Sequence, residues 1–403
     1  MHIYKPNCKC PKEKKCNCNA KWGFIIDVGA DPKTGKRKQK FKGGFSTQKE
    51  AKLAAAAFQI DLSNGTYSEE SDITFEDYSK DWLKGYQGTG KVKVSTIRVR
   101  SHEISRLLPY FSKLKLKDIS KKRYQDSLLD LKEKGYADNT LDGVHRTGRM
   151  IFKKAVEQDI IKIDPTQFAF VPKTQKTIEE LESEDEVGKF LEKEELALFL
   201  QTTLEKGLER DYAIFSTLSY TGMRAGELCA LKWKDINFEE QTISITKTYY
   251  NPINNIKNYQ LLPPKTASAK RVITVDKDLL EIIEKLRATQ NVVRMKYRKT
   301  YYDKDFVFAK MDKTKGYPEY IKTIENRMRR LLKLAGLNEQ LTPHSLRHTH
   351  TSLLAEAGAQ LHEIMDRLGH KDDSTTRNVY LHVTKTKKKE ASHKFAELMR
   401  SLR

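Results

Sequence analysis

The apolar positions change their period along the chain, and the changes divide it. Near the N-terminus Trp22, Phe24, Ile26 and Val28 alternate with Gly23, Ile25 and Asp27, the two-residue period of a strand with one well-buried face. Asp31-Pro32-Lys33-Thr34-Gly35 has hairpin-turn chemistry, and Arg37-Lys38-Gln39-Lys40-Phe41 reads as the returning strand. Ser46 or Thr47 is placed to cap a helix running through Ala51 to about Leu62, which closes a small unit over residues 1–65. After Asn64-Gly65 the period becomes helical, through Phe75, Tyr78 and Trp82, then Ile97, Ile104 and Leu108, then Leu141, Val144, Met150 and Ile151. This predicts an all-α domain of four or five helices over 73–170, with Ser95-Thr96 and Asn139-Thr140 as N-caps and Asp164-Pro165 closing it.

Residues 172–187 carry Pro172 and the acidic run Glu179, Glu180, Glu182, Glu184, Asp185 and Glu186, which suits an exposed, self-repelling linker. From 188 to 403 helical patterning resumes. One strand-rich stretch interrupts it over 241–276, where Ile243, Ile245, Tyr249, Val272, Ile273 and Val275 predict a small sheet. The expected fold class is therefore multidomain and mainly α with small β elements: a sheet-plus-helix module, an all-α domain and an α+β domain.

Charge changes the picture from a fold to a partner. The chain carries 75 Lys and Arg against 54 Asp and Glu, a net charge of +21, well beyond what solubility asks. Residues 1–50 alone hold thirteen basic and four acidic residues. The cations recur in every segment rather than along one amphipathic helix, so a nucleic acid is favoured over a membrane surface. No apolar run approaches the roughly 20 residues of a bilayer span and no signal-peptide pattern opens the chain, which points to a cytoplasmic protein. Cys8, Cys10, Cys16 and Cys18 crowd into eleven residues, while Cys229 lies alone in an apolar helical stretch. That is no secreted disulfide framework; four thiols in a reducing compartment suit a structural zinc, against the alternative of reduced thiols on a basic arm.

The chemistry sits in three short boxes. In Thr342-Pro343-His344-Ser345-Leu346-Arg347-His348-Thr349-His350, Pro starts a helix, and His344 and Arg347 stand three apart near an end that attracts anions. Leu368-Gly369-His370 is followed ten residues later by Tyr380, and Thr221-Gly222-Met223-Arg224-Ala225-Gly226-Glu227-Leu228 lies upstream. The order and spacing of these boxes resemble those of the tyrosine recombinase (phage integrase) family. The likeness is specific over roughly 190–390. It is looser over 73–170, which resembles the family's helical core-binding domain, and over 1–65, which resembles the arm-type DNA-binding modules of temperate-phage and conjugative-transposon integrases.

The resemblance implies that Arg224, His344 and Arg347 hold the scissile phosphate, that His370 is a further contact and that Tyr380 is the nucleophile. It also implies a lysine on a β-hairpin between the first two boxes. Pro264-Lys265-Thr266, with Arg271 further on, resembles that hairpin and makes Lys265 the choice, with Lys247 and Lys270 as alternatives. These residue types suit phosphoryl transfer. Arginine's planar fork donates parallel hydrogen bonds and stays charged, a tyrosine hydroxyl titrates near 10 and needs a histidine to take its proton, and the lysine can protonate the departing 5′ oxygen. Two arginines can do the electrostatic work of a metal, so the resemblance implies no cofactor for catalysis, and it implies double-stranded DNA at core and arm sites, a homotetramer and DNA-bending accessory proteins as partners. Glu227 is either a partner that orients Arg224 or an ordinary surface pair; His348 and His350 read as structural helix residues. Tyr249, Tyr250, Tyr301 and Tyr302 rival Tyr380 by type alone. Two other functions remain open: a resolvase of chromosome or plasmid dimers, which would lack the 1–65 unit, and an architectural DNA-binding protein without catalysis.

Overall fold

The computed structural model describes residues 2–8, 10, 18–30, 35, 37–63, 72–174, 190–264, 269–369, 376–377, 380 and 400. The chain divides into two compact units, Met1–Gln175 and Lys176–Arg403.

In the first unit β1 (His2–Tyr4), β2 (Trp22–Ala30) and β3 (Arg37–Phe45) form an antiparallel sheet in that order, against which α1 (Gln48–Ser63) packs. Thr47 caps α1 as the sequence predicts: its Oγ1 accepts from Glu50 N at 3.2 Å, and the Glu50 carboxylate reaches back to Ser46 N at 3.0 Å. The buried face of β2 is narrower than the alternation suggests. Phe24 and Ile26 are buried, but Trp22 and Val28 are only half-buried, because the β2–β3 register shifts at Trp22/Gly23 and again between Asp27 and Ala30. Lys5 Nζ lies 5.2 Å over the Trp22 ring, and Phe41 covers Gly23 and Gly43 so closely that a Cβ on either would meet its ring at 2.7 Å. The turn at 31–34 lies outside the described residues.

Four helices follow among the described residues, α2 (Phe75–Gly88), α3 (Val94–Phe111), α4 (Lys121–Glu133) and α5 (Asp138–Glu157). They bury Phe75, Leu107, Phe111, Tyr124, Leu128 and Phe152 in one cluster. Gly148 leaves room for Tyr124, whose Oη would stand 2.3 Å from a Cβ there. Two predicted caps are displaced: α3 starts at Val94 after extended Lys93, and α5 at Asp138 after extended Ala137, so Ser95-Thr96 and Asn139-Thr140 fall inside the first turns. The side-chain caps are Thr74, accepting from Asp77 N, and Ser120, accepting from Arg123 N, each at 3.2 Å. Asp164 closes a turn onto Thr166 N at 2.8 Å, but the packing continues past it, with Ala169 and Val171 resting on the same core. Of the predicted linker, 175–187 lies outside the described residues.

The second unit opens with α6 (Lys193–Lys206), α7 (Asp211–Thr221) and α8 (Ala225–Ala230). The strand-rich stretch resolves into β4 (Ile236–Asn237), β5 (Thr242–Ile245), β6 (Thr248–Tyr250), β7 (Gln260–Leu262) and β8 (Arg271–Thr274). β4, β5 and β8 form one antiparallel sheet, with Ile243 opposite both Ile236 and Ile273, and β6 pairs with β7. The helices α9 (Lys277–Lys296), α10 (Ile321–Leu334), α11 (Pro343–Glu356) and α12 (Leu361–Leu368) complete the described elements. Phe199, Ile214, Phe215, Leu218, Ile243, Ile283, Met328 and Leu331 are fully or almost fully buried in a core shared by helices and sheet. Each contributes about 1.5–3 kcal/mol through the apolar surface it removes from water. α7 lies at the centre, and its buried position fixes the loop that follows it.

Candidate active site

α7 ends at Gly222, which takes the left-handed conformation (φ 61°, ψ 14°) and donates its N–H to Leu218 O at 3.0 Å. Glycine is required twice over there: a Cβ would lie 2.6 Å from His350 Cδ2 and 2.8 Å from Leu368 Cδ2. The chain reverses through Met223 and enters α8 with Arg224 as the extended N-cap residue. Glu227, three residues on, accepts from Arg224 N at 3.0 Å and from Arg224 Nη1 at 3.0 Å, the geometry that the spacing of three allows.

Glu227 is more than an i,i+3 surface partner. Its Oε2 accepts from Arg271 Nη2 at 2.9 Å, and the side chains of Glu227 and Arg271 are each only 5% exposed, whereas Arg224 is 40% exposed. Burial pushes the Glu227 carboxyl up, but the hydrogen bond and charge of Arg271, the Arg224 N–H and the Arg224 charge outweigh it and hold the group below the usual glutamate range. Arg271, at the start of β8 and opposite Ile245, also donates from Nε to Arg367 O at 2.8 Å and from Nη1 to Ala269 O at 3.2 Å. One carboxylate thereby joins the exposed Arg224 to the buried first residue of β8.

In the second box Pro343 takes the first position of α11, as the sequence predicts, and Thr342 N donates to Ser345 Oγ at 3.2 Å. His344 stays exposed at the helix start, its ring 4.8 Å from that of His348 and edge-on to it. Arg347 turns inward and is 2% exposed, with Nη1 donating to Gly222 O and Nη2 to Leu368 O, both at 2.7 Å. Gly222 belongs to the first box and Leu368 to the third, so a single guanidinium ties all three boxes together.

The third box begins at Leu368, the last residue of α12, and Gly369 follows in the left-handed conformation. Its last carbonyls are held from inside, Arg367 O by Arg271 and Leu368 O by Arg347. Tyr380 packs beside the same helix, half-buried against the cluster of Ala355, Ile364 and Leu368. Behind this end of α12, His350 Nδ1 donates to Ser219 O at 2.9 Å, and Nε2 accepts from Arg367 Nε at 3.2 Å, an arrangement that needs a neutral ring. Burial, reinforced by the Arg367 and Arg347 charges, pushes the His350 pKa down to about 3. His350 is thus a structural residue, as its position in the sequence suggests.

Lys265, His370 and Cys16 lie outside the described residues. Of the alternative lysines, Lys247 is tied to Asp235 in an ion pair and is 18% exposed, while Lys270 is exposed. Among the rival tyrosines Tyr249 is buried, accepts from Asn251 Nδ2 at 2.8 Å and stacks on Tyr259; burial pushes its hydroxyl and that of Tyr301 upward. The thiols of Cys8, Cys10 and Cys18 converge within 4.8 Å of one another in the N-terminal sheet module. Arg367 is a contributor that the sequence patterns did not single out, and Arg271, read there only as part of the lysine hairpin, contributes as the buried partner of Glu227. No helix among the described residues is long and apolar enough to cross a membrane.

Three family models match the chain in succession: an arm DNA-binding domain over 13–62, a phage integrase N-terminal SAM-like domain over 74–131, and the phage integrase family over 189–387. The integrase of Staphylococcus phage L54a is 28% identical over 358 residues, covering 84% of this chain and 97% of that protein. The ICEBs1 integrase of Bacillus subtilis (strain 168) is 24% identical, covering 94% of this chain and 98% of the relative. Among solved structures, the Tn1549 transposon integrase in complex with transposon right end DNA superposes with a TM-score of 0.61 at 22% identity, over 79% of this chain and all of that one. A lambda integrase dimer bound to a COC′ core site superposes with a TM-score of 0.56 at 17% identity, over 93% of this chain and 95% of the other. From the linked boxes and the order of its modules, the chain belongs to the phage integrase family of tyrosine recombinases.

Proposed function

We propose that this chain is a site-specific recombinase that integrates and excises a mobile element by cutting and rejoining duplex DNA through Tyr380. Residues 1–65 bind arm-type sites, residues 73–170 bind the core site, and residues 188–403 carry out the chemistry. The Tyr380 oxygen attacks the scissile phosphorus as its proton passes to His344 or His370, a 3′-phosphotyrosyl bond forms as the bond to the 5′ oxygen breaks, and the departing oxygen takes a proton. A 5′ hydroxyl from a different strand then reverses the step. The phosphodiester energy is conserved, so no nucleotide is consumed.

Arg224, His344, Arg347 and His370 hold the phosphate in this reading, with Lys265 as the general acid. Donors fixed in advance toward the developing oxyanion charge lower the barrier by roughly 3 kcal/mol each. Preorganisation is where the structure supports the reading most. Each terminal nitrogen of Arg347 carries two hydrogens, so the guanidinium can hold Gly222 and Leu368 and still donate to phosphate oxygens. Arg224 is exposed yet braced by the buried Glu227. The observation that carries the proposal is the Arg347 bridge, which brings sequence boxes 125 and 21 residues away to one guanidinium with Tyr380 packed on the same helix as the second of them.

The working unit is a homotetramer on DNA, assisted by DNA-bending proteins; a lambda integrase tetramer bound to a Holliday junction is among the similar structures. The match of an arm DNA-binding model over 13–62 favours an integrase over a dimer resolvase. The scheme needs no cofactor, and a zinc ion on the N-terminal thiols would stand outside it as a structural element of the arm module. The test is a nicked core-site substrate whose cleaved end diffuses away. Native protein should accumulate a covalent protein–DNA adduct and Tyr380→Phe none, while equal adduct from both would refute the reading.

A further inference from the structure

The N-terminal module contains a group of side chains that the strand-transfer chemistry leaves unused. Cys8 and Cys10 follow β1, and Cys18 precedes β2, so the fold of the sheet brings them together from two separate stretches. Their sulfur atoms all lie within 4.8 Å of one another, with Cys18 Sγ 3.5 Å from Cys8 Sγ. A tetrahedral zinc with Zn–S bonds of about 2.3 Å sets its sulfurs about 3.8 Å apart, so this separation matches two ligands of one ion. A disulfide would need the sulfurs at about 2 Å.

The surroundings hold the two stretches in place. Lys5 Nζ donates to Cys18 O at 3.1 Å, and Cys8 N donates to Lys5 O at 3.2 Å, so the turn after β1 is bound to the strand entry before β2. Among the described residues the module has only a small core of its own. Its buried apolar cluster comprises Phe24, Ile26 and Ala55, against the sixteen buried residues of the helical domain that follows. A unit of this size with so small a core usually needs a disulfide, a metal or a partner. The dense positive charge of residues 1–50 suits a zinc–thiolate group, which is neutral to anionic.

We propose that Cys8, Cys10 and Cys18 bind a structural zinc ion that clamps β1 and its turn to β2, and that arm-site DNA binding depends on this ion. Cys16 lies outside the described residues, and the site is argued from the three thiols alone. Metal binding by the module stands apart from the recombinase reading; only its consequence for arm-site DNA rests on that reading. Because ligand binding and folding of such a module are one equilibrium, removing the ion unfolds the module rather than merely emptying it.

The experiment uses the full chain, purified under reducing conditions and freed of loose metal. Elemental analysis should give about one zinc per chain, reduced at least fivefold by Cys8→Ser, Cys10→Ser or Cys18→Ser and unchanged by Cys229→Ser, whose thiol is buried in the other unit. Cobalt substituted for zinc should show thiolate-to-metal charge-transfer absorption that the same three variants remove. Adduct formation on the nicked core-site substrate reports whether each variant is otherwise folded. The expected pattern is adduct retained, zinc lost and arm-site affinity lowered at least tenfold. Three results would overturn the proposal: less than one zinc in ten chains after incubation with excess zinc, full zinc retention by Cys8→Ser/Cys18→Ser, or native arm-site affinity in zinc-free chains.

Discussion

Replacing Glu227 by Gln keeps the side chain's size and removes its charge from between Arg224 and Arg271. Arg271 is then a buried cation whose charged partner has gone, and whichever way the Gln amide turns, its N–H₂ faces donors of both arginines that a carboxylate oxygen accepted from. Breaking a buried pair in this way costs about 3–5 kcal/mol. For a unit of this size each kcal/mol moves the melting temperature by about 2–4 °C, so the transition of the catalytic unit should fall by roughly 6–20 °C at pH 7. Acid should bring native protein and variant together. The Glu227 carboxyl is held below the usual range, so its contribution is whole above the ordinary glutamate pKa of about 4.3 and is lost as pH falls through the lower folded value. Differential calorimetry of both proteins from pH 7 down to about pH 2, below the ordinary glutamate range, reads the effect, and the nicked-substrate assay reads catalysis, which should fall because Arg224 loses its brace. A melting temperature within 2 °C of native, or a difference that grows toward acid, would refute the account of Glu227 as the buried link between Arg224 and Arg271.

Gly222→Ala should destabilise the catalytic unit by about 2–4 kcal/mol, from the left-handed backbone and the overpacking against His350 and Leu368, and should lower cleavage because Leu368 O is an Arg347 anchor; an unchanged melting curve would contradict this. His350 is held neutral with a pKa of about 3, so the unfolded chain takes up its proton first; stability should be whole above about pH 6.5 and fall by up to about 1.4 kcal/mol per pH unit below it. His350→Gln, whose amide can donate to Ser219 O and accept from Arg367, should remove that slope in pH-dependent unfolding; a slope that survives would assign it elsewhere. Arg224→Ala should lower single-turnover cleavage at least a hundredfold while core-site affinity stays within a few-fold, since it is one exposed cation among many; parallel loss of both would count against its role.

The sequence made the architecture readable wherever one period ran long enough. The alternation from Ile243 to Val275 became two small sheets, and the helical spacing from Phe75 to Ile151 became four helices. It misplaced the starts of α3 and α5, because Ser, Thr and Asn are as much at home inside a first turn as at the cap before it. Trp22 and Val28 kept the strand period yet lost burial to register shifts that no local pattern encodes. The three boxes were legible as types at fixed intervals. What joins them was not: nothing in the order of residues says that Arg347 spans from Gly222 to Leu368, or that Arg271 is the arginine that meets Glu227 inside the fold. Those contacts depend on which side chains the central α7 forces inward, a property of packing rather than of spacing.

The central claim is that Tyr380 is the nucleophile in a pocket built from these boxes. It is tested most directly by isolating the trapped protein–DNA adduct, digesting it and locating the nucleotide-bearing residue by mass spectrometry. The account predicts a 3′-phosphotyrosine on Tyr380. Attachment to Tyr249, Tyr250, Tyr301 or Tyr302, or to any residue other than a tyrosine, would contradict it.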